Sequence, residues 1–275
     1  MHKDKKEYDF IFSLGLACSG SYFLRKCNFQ VYSLPFDWLF GSSFLNRIKT
    51  IENNFKDWLN IEDLELTDTR LDFEPRNIFH NKKTDITFKH DFPVNKDWQE
   101  SYESVSKKYQ RRINRLYNSI KKAKKILLFY IINPNDNAID TNEEILEGYQ
   151  ILKNKFKDKE IDILYLYNDI NEKNPKIIHL NEHIKKVCFD YSKASDNDLN
   201  FALNKTLITN FLKKHIRYKM PLKERLSLIL RVKRIKRGLR INLFLKLNTI
   251  FRLCVYLFGL RLDFCLGKLR DIKFD

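Results

Sequence analysis

The sequence predicts an α/β fold, a mostly parallel sheet flanked by helices, with a basic amphipathic helical extension at the C-terminal end. Three observations carry this. KILLFYII at 125–132 is apolar on both alternating faces, as a strand covered on both sides must be. Strand-like and helix-like periodicities then alternate as far as residue 215, the signature of βα units. The charge is lopsided. Residues 216–275 hold sixteen Lys or Arg against four acids, a net +12 of the chain's +16, which leaves only +4 for the body.

Taken in order, Glu7 to Gly15 reads as a buried strand, and the SxGxxCSGS turn after it opens a helix to about Lys26. The apolar run Phe10 to Ala17 ending at Cys18 imitates a lipoprotein signal. Glu7 and Asp9 interrupt the approach to it, it is too short, and Gly15 stands where a bulky aliphatic residue belongs. Pro35 to Trp38 is a turn, and Ser43 to Leu59 is a helix with Leu45, Ile48, Ile51, Phe55 and Leu59 on its inner face. Two short strands lie between Asn77 and Phe92 around a polar turn at Asn81 to Lys83. Ser101 to Lys125 is a helix with Tyr109, Ile113, Leu116 and Ile120 facing inward. After the strand at 125–132 and a turn at Asn133 to Asn137 come a helix near Glu143 to Lys157, strands at Ile161 to Tyr167, Lys176 to Leu180 and Lys186 to Phe189, and a helix from Asp196 to His215.

The boundary between body (1–215) and tail (216–275) follows the charge. From Pro221, Leu222, Leu226, Ile229 and Val232 or Ile235 recur at helical spacing among cations that include Arg231, Lys233, Arg234, Lys236 and Arg237. After Gly238, Asn242, Lys246, Thr249 and Arg252 fall along one stripe of an otherwise apolar cylinder. This pattern suits a helix lying on an anionic membrane surface, the inner face of the membrane of a cytoplasmic protein. A spanning helix would place two cations in the bilayer at roughly 2.5 to 3.5 kcal/mol each. Docking of the apolar helix on the body is the other alternative. Nucleic acid is disfavoured, because the cations are not interleaved with stacking aromatics.

The five cysteines, Cys18, Cys27, Cys188, Cys254 and Cys265, show no CxxC and no metal-ligand spacing. They read as free thiols in a reducing compartment, and no metal or cofactor is expected. No phosphate loop, dinucleotide fingerprint or serine elbow is present. Cys18 follows a strand and begins a helix, where exposed N–H groups and the helix dipole favour a thiolate. Gly15 and Gly20 flank it and let the backbone turn sharply near a substrate carbonyl. The alternative is a small buried residue in a tight joint. A nucleophilic Cys needs a base. His90, ending a strand in FKHDFP, is the best placed of six histidines, with His179 in reserve. Asp37, between Phe36 and Trp38, either orients His90 or caps the following turn. Arg111 and Arg112 in KYQRRINR offer a substrate clamp or a solvated helix face.

SLGLACSGSYFLRK, LPFDWLF, the lone FKHDF and KYQRRINRL together resemble the bacterial family catalogued as papain-like cysteine peptidases, over about residues 8–135. The resemblance implies a Cys–His site at Cys18 and His90, with Asp37 matching the acid of PFDW. It also implies an α+β fold with largely antiparallel strands, whereas residues 125–189 alternate β and α. Two functions are therefore expected. One is a cysteine-dependent hydrolase or acyl transferase acting on a peptide, acyl or glycan-related substrate. The other is a factor or transferase of bacterial surface-polysaccharide assembly, without cysteine catalysis.

Overall fold

The computed structural model describes residues 5–15, 18–71, 74–132, 139–192 and 204–235, with side chains as far as 228. The first strand signal is two strands: β1 (Lys6–Tyr8) and β2 (Phe10–Gly15). They part at Asp9, whose carboxylate accepts hydrogen bonds from the backbone N–H groups of Lys124 and Lys125, both at 3.0 Å. Then follow α1 (Ser19–Lys26), β3 (Phe40–Gly41), α2 (Phe44–Glu52), β4 (Leu64–Arg70), β5 (Arg76–Asn81), β6 (Ile86–Pro93) and α3 (Trp98–Lys122). The chain continues through β7 (Lys125–Ile131), α4 (Asn142–Lys155), β8 (Glu160–Asn168), β9 (Lys176–His179), β10 (Ile184–Phe189), α5 (Lys205–His215), β11 (Ile216–Tyr218) and α6 (Leu222–Ile235).

The main sheet has the order β2-β7-β8-β10-β9, parallel except for β9, which runs antiparallel to β10 at the edge. Alternate residues of β7 enter two separate cores. Ile126, Leu128 and Tyr130 pack with α2, α3 and α4, while Leu127, Phe129 and Ile131 pack with α1 and α5. Helices thus cover both faces, which accounts for the unbroken apolar run.

A second sheet, β3-β6-β5-β4, is antiparallel throughout. Sequence reading found only two of its strands. β4 shows no alternation because its residues are exposed along nearly its whole length. Phe79, Ile86, Phe88 and Phe92 of this sheet join the core under α2, α3 and α4. The chain is therefore both alternating α/β and antiparallel, in two different sheets.

α2 is shorter than its apolar spacing predicts. It stops at Glu52 because Asn54 and Phe55 take left-handed conformations, φ 59° and 60°, which end a helix. Phe55 remains buried all the same, with its ring against Phe36 and Trp58.

The border of the body also lies later than expected. Ile216, Arg217 and Tyr218 pair in parallel with Lys6, Glu7 and Tyr8, and contacts divide the chain after Met220. In the second unit, α6 spans Leu222–Ile235. Lys236, Arg237, Lys246 and Arg252 lie outside the described residues, as do the turn at 133–137 and the start expected for the helix before His215. Arg231, Lys233 and Arg234 belong to α6, but their side chains also lie outside the described set. Among the described residues no helix is long and apolar enough to cross a membrane.

Candidate active site

Cys18 is the N-cap of α1 and is held by close backbone packing on either side. Gly15 closes β2 at φ 95°, and a Cβ there would meet the Arg47 guanidinium at 2.5 Å. A Cβ on Gly20 would overlap Ser13 Oγ, which accepts from Gly15 N at 2.9 Å. Both glycines of SxGxxCSGS are thus required by close approach.

Arg47, on α2, is fully buried and donates to the carbonyls of Leu14, Leu39, Gly41 and Ser42. It ties the end of β2, next to Cys18, to β3, which carries Phe40. Its partners are scattered carbonyls, and no sequence pattern announces such contacts.

His90 reaches Cys18 through an irregularity in β6. Phe79 pairs with Phe88 and Asn77 with Phe92, so Lys89, His90 and Asp91 together face Ile78 alone. The extra residues bulge, and a bulge re-aims side chains. Cys18 Sγ lies 3.8 Å from His90 Nε2, across 72 residues of sequence and between the two sheets. The Phe40 ring packs beside His90, with centroids 6.0 Å apart. Asp91 is occupied by Lys108 and by the Tyr109 hydroxyl, the latter at 2.9 Å.

The electrostatics differ from the thiolate expected at a helix N-terminus. Burial pushes the Cys18 thiol up to about 11, opposed only weakly by the charge of Lys89. Partial burial lowers the His90 pKa, helped by Arg70 and opposed by Asp91. At neutral pH the pair is therefore thiol and neutral imidazole. Desolvation wins because Cys18 is only 6% exposed.

Asp37 does not orient His90. Its Oδ2 accepts from Gln30 Nε2 at 2.6 Å, Leu34 N at 3.1 Å and Arg25 Nη2 at 3.2 Å, so it fastens the PFDW turn to α1. Among the described residues no carboxylate hydrogen-bonds the His90 ring. Arg111 and Arg112 form no joint clamp. Arg111 is exposed, while Arg112 lies 5.1 Å over the Tyr109 ring with its charge felt at Asp37. His179 sits on β9, four strands from β2 in the sheet order. Cys27 and Cys188 are buried free thiols, while Cys254 and Cys265 lie outside the described residues. Among the described residues, no three His, Cys, Asp or Glu side chains could jointly hold a metal ion.

Residues 9–169 match the family described as "putative papain-like cysteine peptidase". The chain belongs to this family. The matched segment contains both Cys18 and His90, and it runs through the antiparallel sheet into β8. The family member is also similar to an uncharacterized protein of Acanthamoeba polyphaga mimivirus, 29% identical over 150 residues, which cover 49% of this chain and 67% of that protein. That relative is viral, so the matches carry no statement of a bacterial source. No solved structure matches the chain.

Proposed function

We propose that this family member is a cysteine-dependent hydrolase or acyl transferase with Cys18 as nucleophile and His90 as base. The approach of Cys18 Sγ to His90 Nε2 at 3.8 Å carries the reading. His90 Nε2 takes the thiol proton as Sγ bonds to the substrate carbonyl carbon, whose π electrons move onto oxygen. The first N–H groups of α1 face the developing oxyanion. Collapse expels the leaving amine or alcohol, which takes the proton from His90. Water, or another acceptor, then cleaves the thioester and restores the thiol. The lowered pKa of His90 keeps its imidazole unprotonated at neutral pH and able to accept.

Cys27 supplies an internal control. Burial pushes its thiol to about 11 as well, yet its sulfur faces the Thr209 carbonyl rather than an imidazole. Native protein treated with iodoacetamide and peptide-mapped is expected to be modified at Cys18 ahead of Cys27. His90→Ala should slow Cys18 about tenfold or more and leave Cys27 unchanged. If Cys18 stays unlabelled while the unfolded chain reacts, the nucleophile assignment falls. The alkylation rate of Cys18 should keep rising from pH 7 towards 10, because its folded pKa is raised to about 11. A plateau below about pH 8 would instead show a preformed thiolate–imidazolium pair.

The second reading, a factor without cysteine chemistry, is favoured by one observation: Cys18 is 6% exposed. For the tail, the +12 charge of residues 216–275 supports binding to an anionic membrane surface. Cosedimentation with anionic liposomes should be lost when residues 221–275 are removed. Equal binding by the shortened chain would refute it.

A further inference from the structure

The bulge that delivers His90 also delivers Lys89. Its Nζ stands 4.3 Å over the centroid of Phe40, the same ring that packs beside His90. One aromatic ring is thus shared by the base and by a cation. Among the described residues no carboxylate pairs with Lys89. Further cations sit on the neighbouring strands, where Arg70 and Arg76 are direct cross-strand partners. Like charges so placed repel unless an anion lies near. Glu74 lies against both, with its carboxylate on Arg76 at 2.9 Å and its carbonyl accepting from Arg70 at 3.3 Å. Asp91 is occupied by Lys108 and Tyr109. Arg70, Arg76 and Lys89 all act on His90, opposed by Asp91, and Lys89 acts on Cys18. On the side of the antiparallel sheet three cations thus act on His90 against one acid, Asp91.

We infer that the Cys18–His90 site takes acyl substrates that carry a negative charge, a carboxylate or phosphate, close to the carbonyl attacked, and that Lys89 pairs with that charge. This rests on Cys18 being the nucleophile. A cation on an aromatic face, half-buried and without a carboxylate, is held for an anion at little reorganisation cost. It would also draw anionic substrate into the site at low ionic strength.

The full chain tests this with two alkylating agents of nearly equal size, neutral iodoacetamide and anionic iodoacetate. Their rate ratio at Cys18 cancels any change in thiolate fraction, because both reagents need the same thiolate. Relative to the same cysteine in urea-unfolded chain, native Cys18 is expected to favour iodoacetate by about tenfold at low salt. The preference should shrink severalfold in 0.5 M NaCl, where the Debye length falls to about 4 Å. Lys89→Gln should bring the ratio near that of unfolded chain, while Lys89→Arg should keep it. A native ratio equal to the unfolded one, or one unchanged by salt and by Lys89→Gln, overturns the anion assignment and leaves the nucleophile standing. Resistance of native Cys18 to both reagents overturns both. The salt arm needs no variant, so misfolding of Lys89→Gln cannot leave the question open.

Discussion

The two sheets contribute to the candidate site in opposite ways. The parallel sheet supplies Cys18 from a tight joint, where Gly20 packs on Ser13, Gly15 packs on Arg47, and Arg47 donates to backbone carbonyls. The antiparallel sheet supplies His90, a residue partly open to solvent, from an irregular stretch of strand. One half is built for fixed position, the other for access. Fixed position keeps a nucleophile at reacting distance, and access lets a proton and a substrate reach the base.

The sharpest way to break this comparison is Arg47→Met. It orphans several buried carbonyls at once, and a loss of about 3 to 5 kcal/mol in chemical denaturation is expected. A loss below about 1 kcal/mol would show that the joint does not depend on it. Gly15→Ala should cost about 2 kcal/mol, since an L residue at φ 95° is strained and its Cβ meets Arg47. Circular dichroism melts of the purified variant would read this out, and an unshifted midpoint would contradict it. Next in size is a pair of truncations. Ending the chain at His215 removes β11 and buried Ile216 and should cost about 2 kcal/mol more than ending it at Met220. Equal melting of the two would place the true border at 215. The smallest expected effect is on the open side. His90→Ala should change stability by no more than about 0.5 kcal/mol, because the residue is partly open to solvent. A large loss there would mean that the bulge is structural.

Much of the parallel half was legible. β7, β8 and α3 fall within a few residues of their expected bounds, because long apolar runs and an i, i+4 stripe announce themselves locally. β4 was missed because its residues face solvent along nearly their whole length and leave no alternation to read. Asp37 was noticed correctly as an acid in an aromatic turn, but both of its possible roles fit that context. Only the positions of Arg25 and Gln30 show that it does neither and instead fastens its own turn to α1. Lys89 gave no signal, being one lysine among many, and its relation to Phe40 exists only where β3 lies along β6.

The sequence by itself determined the α/β character, the basic end, and the two residues, Cys18 and His90, worth testing as a pair. Those follow from periodicity, composition and the kinds of side chain that nucleophilic chemistry needs. The tertiary structure decided that they approach each other, that burial raises the pKa of one and lowers that of the other, and that Lys89 stands beside them. Distance and desolvation are properties of segments far apart in the chain, and in this protein a β-bulge and a buried arginine set them.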